Sequence, residues 1–377
     1  MFCGDKQRGS GQLCLAGVAL AAALAGVWIA GARISVQAVE SSATGANKDV
    51  RISVMGLFHP QELRLSPAGN QGIEVIIDRQ SRRLSRDAQA AVIHLVGDRL
   101  AVQFGGDSGV ISGGVLHASN EFAANSAGFC LEVPGKLKRR YDGTLEIHAH
   151  GSQLEAVVSM PLETAVASVV AAESPPGASL EALKAQAVAA RSFLVARQAG
   201  HTDFDFCDTT HCQFLRSPPA PGTEPDKAAR ATRGLILEWH DDAASRDRPL
   251  AAMYARSCGG RTRTLREAGV RSDGYPYYPV RCDYCSHHPE VWQRAAKGAP
   301  RTEQERLAYN RIHGWGAMPS LPVGATGSNG QIQGQGVGHG VGLCQLGSAD
   351  MARQGATFAQ ILAHYYPNTK LTSIGAL

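Results

Sequence analysis

An α+β fold is what this sequence of 377 residues predicts, with a β-rich N-terminal region leading into a mixed α/β region. Three observations carry that expectation. Short β-prone runs, parted by Gly, Pro, Asn or Asp, fill the stretch from Val50 to Ile147. From Pro161 to Gln198 two helical patterns follow, broken sharply at Ser174-Pro175-Pro176-Gly177. Beyond them, strand-like and helix-like segments mix up to the C-terminus. The length supplies core material for one large or two medium domains. A formal net charge of +4 is too mild to argue for nucleic acid, and plain solubility explains it as well as an anionic polymer would.

Residues 1–38 read as an export segment. Lys6 and Arg8 precede an apolar run from Leu13 to Ala32, and Ala30-Gly31-Ala32 or Val36-Gln37-Ala38 offers a small-residue cleavage site. The run is also about as long as a bilayer is thick, so a cleaved signal peptide and a membrane anchor through residues 13–32 are both open. Either places the rest of the chain in the cell envelope, outside the cytoplasm. Cys14 lacks the small-residue context of a lipidated cysteine. Residues 39–49 form a polar linker. RISVMGL, GIEVIID, AVIHLVG, LAVQF and LEIHAH then supply the strands of a β-rich region over residues 50–150, in which Cys130 reads as a core residue.

The pair of helices organises the chain. In the first, Leu162, Val166, Val169 and Val170 recur at helical spacing, and Glu173 falls on the same face. Proline ends this helix by removing a donor and constraining the residue before it. Ser179 is placed to cap the second helix, with Glu181 in its first turn. There Leu183, Ala187, Ala190 and Leu194 line one side, with Lys184 and Arg191 on another. A carboxyl at the C-terminal end of an apolar helix face is hard to ionise, because burial and the helix dipole both favour its protonated form. Such a group suits general acid work. A frayed helix end, with Glu173 turned to water, fits the pattern equally well.

Three later stretches hold residues of chemical interest. HTDFDFCDTTHC, from His201 to Cys212, packs two histidines and two cysteines into one short segment, all of zinc-ligand type. A Cys207–Cys212 disulfide is the competing reading. In AAMYARSCGGRTRT, the adjacent Gly259 and Gly260 permit positive φ or close backbone approach. YPYYPVRCDYCSHH, from Tyr275 to His288, carries Cys282-x-x-Cys285 at metal or redox spacing, and a bridge from Cys258 to either cysteine is an equal alternative. Its aromatic residues fit a saccharide platform or core packing. Setting Cys3 and Cys14 aside leaves an odd number of cysteines, so at least one is unpaired or metal-bound. A charged helix is expected around Glu303 to Ile312. GQGVGHGVGLCQLGSADMARQG then carries six glycines from Gly334 to Gly347, without the Gly-Lys-[Ser/Thr] end of a phosphate loop. Its presented polar groups are His339 and Gln345, and a helix follows to Gln354. Thr357 and Gln360 form a capping box for the last helix.

The run LEALKAQAVAARSFLVAR resembles the signature of the SpoIID/LytB family, the stage II sporulation protein D group of peptidoglycan lytic transglycosylases. Blocks in the same order extend the resemblance over roughly residues 140 to 375: YDGTLEIHAHGSQLEAVVSMPLETAVASVVAAE, HCQ, the Ser-x-Gly-Gly block at Ser257, GHGVGLCQLGSADMA and ILAHYYPNTKL. The resemblance implies that residues 151–377 are the catalytic region, with a central cleft lined by the Glu173 helix and closed by the C-terminal glycine loop. It makes Glu173 the catalytic acid and then base. Arg191, Tyr254, Ser257, His339 and Gln345 would place glycan. Cys344 stands where relatives often have serine. Some clostridial members hold zinc with two His and two Cys in the matching segment, which would make His201, Cys207, His211 and Cys212 ligands of one structural Zn2+. No organic cofactor is implied.

One convincing carboxylate agrees with this chemistry, since glycoside hydrolysis usually needs two. A lytic transglycosylase protonates the glycosidic oxygen of peptidoglycan glycan strands between MurNAc and GlcNAc. It then deprotonates the 6-hydroxyl that closes a 1,6-anhydromuramoyl end. The sporulation members favour strands stripped of stem peptides. The chief rival is a non-catalytic wall-binding protein whose partner is an N-acetylmuramoyl-L-alanine amidase that it stimulates. A zinc hydrolase built on the His/Cys segment is the second rival.

Overall fold

In a computed structural model, the structure describes residues 49–376 apart from 70–71, 86–89, 106–108, 121–127, 197–200, 271–273, 296–298, 315 and 324–329. The expected leader, and most of the linker after it, lie outside the described residues. No helix among the described residues is long and apolar enough to cross a membrane.

Two sheets make up the N-terminal half, antiparallel throughout except where Phe206–Cys207 pairs in parallel with Asp49–Val54. The larger has seven strands among the described residues, in the spatial order Phe206–Cys207, Asp49–Val54, Gln153–Pro161, Thr144–His150, Val115–Asn120, Ile73–Ile77 and Gln80–Leu84. The smaller has six, in the order Leu137–Tyr141, Phe129–Val133, Glu62–Pro67, Ala91–Val96, Arg99–Gln103 and Val110–Gly113. Side chains alternate across each strand, so Ile73, Val75 and Ile77 point inward, as do Leu100 and Val102. The inward faces of both sheets share one core, which also takes in Leu162, Val166, Leu183 and Leu194. The α+β expectation holds. The β-rich region extends beyond residue 150, because Thr144–His150 and Gln153–Pro161 are the two arms of one hairpin, paired from Thr144 with Ser159 to His150 with Gln153. A division at residue 150 would cut that hairpin, and the described residues belong to a single compact unit.

Eight α-helices are described: α1 (Leu162–Glu173), α2 (Leu180–Ala196), α3 (Glu224–Ala231), α4 (Leu265–Ala268), α5 (Asp283–His287), α6 (Glu303–His313), α7 (Gln345–Arg353) and α8 (Phe358–Tyr365). α2 is the pivot. Leu183, Ala187, Ala190 and Leu194 join the sheet core. Ala185, Val188 and Ala189, on its other side, join a second core with Leu237, Leu343, Ile361 and Tyr366. A helix apolar on all sides is a buried one. A three-stranded sheet, with Leu235–Asp241 between Arg246–Pro249 and Thr369–Ser373, covers part of the second core.

Some expectations at the helix ends change. The Ser179 hydroxyl makes no cap hydrogen bond and is left buried without a partner, while its carbonyl accepts from Leu183 N at 3.0 Å. Glu181 instead caps a different helix, accepting from Phe358 N at 2.7 Å at the start of α8. The Thr357–Gln360 capping box forms as expected.

Arg191 departs furthest from its expected role. It is 0% exposed, so it does not share a solvent-facing side with Lys184 and cannot place glycan. Its guanidinium forks onto Glu163 of α1, at 2.9 Å from Nε and 2.7 Å from Nη2. Nη1 donates to the carbonyl of Leu235 at 3.1 Å, and Nη2 donates also to that of Ala229 at 3.2 Å. One side chain thus ties α1, α2, α3 and a strand together through charge-assisted bonds. Replacing it strands the Glu163 carboxylate. Arg191→Met should lower unfolding free energy in urea by about 3–5 kcal/mol, with Arg191→Lys recovering only part, because an ammonium cannot fork.

Candidate active-site cleft

The cleft is built where α1 ends. Glu173 is the last residue of α1, and Ser174 is already extended, with its N–H on Val170 O at 3.2 Å. Pro175 and Pro176 prevent another turn. The carboxyl therefore projects from a helix end into a cleft of about 1420 Å³ that Glu173, Tyr254, Glu303, His339 and Gln345 line together. Glu173 Oε1 accepts from Phe214 N at 2.7 Å. Burial pushes its pKa up from the ordinary carboxyl range to about 7, against the opposing pull of the Phe214 amide and the Arg216 charge. Glu173 is thus held at the cleft wall by the Phe214 amide rather than frayed into open water.

Tyr254 stands on a two-residue strand, Tyr254–Ala255, that pairs in parallel with Leu343–Cys344. Its hydroxyl is buried with Glu173 and Gln186 as polar neighbours, and burial holds its pKa well above the usual phenol range. The glycine block reaches this strand through backbone: Gly342 takes φ +71°, and a Cβ there would strike the Met253 carbonyl. His339 lines the cleft, with Val341 N donating to its Nδ1 at 3.0 Å. Burial lowers its pKa, favouring the neutral ring.

Gln345 also lines the cleft, but its amide is committed. Gln345 Nε2 donates to Glu173 O at 2.9 Å and approaches Gln186 Oε1 at 3.4 Å. Its evident role is to tie the glycine block to the end of α1. Ser257 does not reach the cleft. It is buried, with Oγ 3.5 Å from Cys285 Sγ and its backbone bridged to Val337, so the expected sugar contact is corrected. Tyr275 and Tyr277 resolve toward core packing, edge to face at 5.0 Å and both buried, leaving only Tyr278 of that run well exposed.

The His201–Cys212 segment forms one flank of the cleft, to which His211 and Cys212 contribute. His201, Cys207, His211 and Cys212 converge, each offering one ligand atom within 4.8 Å of the others. Cys207 and Cys212 are both free thiols, with sulfurs 3.5 Å apart. Two residues on, the same loop carries the Phe214 amide that holds Glu173. Asp208 anchors the loop to the strands, accepting from Met55 N at 3.2 Å and pairing with Arg139 at 3.2 Å.

Two contributors escaped the sequence reading. Gln186 had a signal, since it is the one polar residue in the buried run Ala185–Ala190. The Phe214 amide had none, because backbone groups carry no residue-type signature. Glu303, on the far helix α6, is a second cleft carboxylate, but both its oxygens accept from Arg306 of its own helix.

A raised carboxyl pKa has a stability consequence. The folded state holds a proton that the unfolded chain releases earlier, so stability falls as pH rises from about 4.5 through about 7 and then levels. Glu173→Gln keeps an acceptor for Phe214 N and carries no charge. Its stability relative to the parent, measured by urea unfolding from pH 4.5 to 8, should rise by up to about 3 kcal/mol.

Residues 150–239 match the family model described as SpoIID, stage II sporulation protein. Stage II sporulation protein D of Bacillus subtilis is 24% identical over 275 residues, covering 59% of this chain and 77% of that protein. The protein of the same name from Bacillus amyloliquefaciens is 24% identical over 296 residues, covering 64% and 83%. An uncharacterized protein of Brachyspira hyodysenteriae is 24% identical over 267 residues, covering 60% and 70%.

Proposed function

Starting from a chain that belongs to the SpoIID family, we propose that it is a peptidoglycan lytic transglycosylase that cleaves the MurNAc-GlcNAc bond of glycan strands. The supporting observation is Glu173, a carboxyl in a wide cleft with its pKa raised to about 7. Near neutral pH such a group both gives and takes a proton. Protonated, it donates to the glycosidic oxygen and releases the leaving sugar. As a carboxylate, it takes the proton of the C6 hydroxyl while that oxygen bonds to C1. The product is a 1,6-anhydromuramoyl end, no water is consumed, and Glu173 finishes protonated.

The chemistry needs no second free carboxylate, and among the described residues lining the cleft Glu303 is tied to Arg306. Tyr254 and His339 line the cleft and are the residues to which we assign glycan contact, whereas Gln345 donates to the Glu173 carbonyl. The four donors of the His201–Cys212 segment fit a structural Zn2+ in type and convergence. When bound, such an ion crosslinks the loop. The loop in turn covers Glu173 and presents the Phe214 amide. Work on cell-wall glycan also requires export, which we assign to the N-terminal segment with its apolar run through residues 13–32, as leader or anchor.

Purified glycan strands, with and without stem peptides, distinguish the outcomes. Mass spectrometry should find anhydromuramoyl ends with the parent enzyme and none with Glu173→Gln, a loss of at least 10³-fold in rate. Reducing ends would mean that water is the acceptor. No cleavage of either substrate by the folded parent would point to the amidase-stimulating role instead.

The rate should also fall as pH rises above about 7, because the acid step needs the Glu173 proton. Stripping the loop metal with a chelator should lower the thermal midpoint and move that limb to lower pH. Burial is the main cause of the raised pKa, and an opened loop lets in water.

A further inference from the structure

Four cysteines far apart in sequence meet on the other side of the cleft wall. Cys258, Cys282, Cys285 and Cys344 are all buried, none more than 5% exposed, and their sulfurs all lie within 4.8 Å of one another. All four are free thiols. We propose that these four residues form a second metal site, a tetrathiolate that binds one structural Zn2+.

The geometry selects a single ion. A tetrahedral zinc with sulfurs at about 2.3 Å places neighbouring sulfurs about 3.8 Å apart, and Cys285 and Cys344 stand at 3.5 Å. Two disulfides require only two close pairs, whereas here every sulfur faces the other three. A four-iron cluster needs a wider cage than this. Four buried thiols also leave the second core with little to satisfy them unless they bind one another or a cation.

The surroundings suit thiolates. Cys344 sits at the N-cap of α7, where its sulfur accepts from a backbone N–H of the first turn. Gly347 N approaches Cys344 Sγ at 3.4 Å, Ser257 Oγ lies 3.5 Å from Cys285 Sγ, and Tyr365 Oη is 3.6 Å from Cys282 Sγ. Such donors are what ligand sulfurs receive around a metal. A Cβ at Gly347 would collide with both Cys282 Sγ and Tyr365 Oη, so the bare backbone there leaves the cage its space. His287 and His288, which follow the Cys-x-x-Cys, take no part. His287 Nδ1 bonds the Asp283 carbonyl instead.

The ion joins three segments, two of which otherwise meet in a sheet of only two residues each. Cys258 lies four residues beyond Tyr254, Cys344 immediately precedes Gln345, and the pair Cys282 and Cys285 anchors the YPYYPVRC stretch beneath them. Loading this site therefore fixes the register of Tyr254–Ala255 against Leu343–Cys344, and with it the bond from Gln345 to Glu173.

Metal content of the full-length chain, purified without chelator, tests this against the His201–Cys212 segment. Cys285→Ser with Cys344→Ser should lose one equivalent of zinc that Cys207→Ser with Cys212→Ser retains, and Glu173→Gln should leave the zinc count unchanged whatever its activity. If the first pair of substitutions prevents folding, the parent protein decides by peptide-resolved alkylation. Removing zinc with a strong chelator should raise labelling of Cys258, Cys282, Cys285 and Cys344 together by at least tenfold. Cobalt loading of the same protein should add sulfur-to-cobalt charge-transfer bands. Disulfides mapped among these four residues, bound iron in place of zinc, or labelling indifferent to chelation would overturn the site.

Discussion

The structure depends on α2 having no free side. A helix whose Leu183 and Leu194 fill one core while Val188 and Ala189 fill another must be enclosed by the rest of the chain. Its composition permits this, since Ala at 182, 185, 187, 189 and 190 lets neighbouring elements approach closely. The charge inside this packing is Arg191, and it is neutralised locally by the Glu163 fork. Breaking that pair would leave a buried charge unpaired, which costs far more than the pair contributes. The same side chain that resembles a surface binding residue in sequence is therefore a tie among four elements. Charge alone does not reveal on which side of a helix the water lies.

From α2 the environment of Glu173 follows. α1 ends at the break that Ser174, Pro175, Pro176 and Gly177 make before α2, so its last carboxyl is carried into the cleft. Desolvation there raises the pKa, and one hydrogen bond from Phe214 N prevents a larger rise. Balance between those effects matters more than either. A carboxyl with several donors would stay ionised and give no proton, whereas one with none would keep its proton and take none back.

Much of this was readable from residues. The strand runs from Val50 onward, the two helices and their break, and the Thr357–Gln360 box each carry a local signal that tertiary packing respected. The position of Glu173 on the apolar face also came from spacing alone. What was not readable depends on which side of an element faces a neighbour. Ser257 and Arg191 have side chains able to bind sugar, yet both are enclosed. Gln345 sits at the cleft, but its amide is spent on a carbonyl 172 residues away in sequence, which no pattern encodes. The four-cysteine cluster shows the same limit. Cys282-x-x-Cys285 is visible as a pair, while Cys258 and Cys344 join it only once the glycine block lies against the Tyr254 strand.

The cleft walls explain why ligand-type residues gather there. The helix that carries Glu173 is fixed by a packed core, but the segments opposite it are irregular backbone. The His201–Cys212 loop adds two strand residues to a sheet edge, and the Tyr254 segment pairs with the glycine block through two residues more. Such segments have only two paired residues each, so few ladder hydrogen bonds offset the entropy of holding one conformation. The proposed glycan substrate, a long polymer, nevertheless demands walls that keep their distance. The proposed metal crosslinks would meet that demand without filling the groove with side chains. Each wall segment adjoins a cluster of metal-ligand-type side chains, one or two residues from a group that touches Glu173: Phe214 after Cys212, and Gln345 after Cys344. On this argument the cysteines belong to the architecture of the acid rather than to its chemistry.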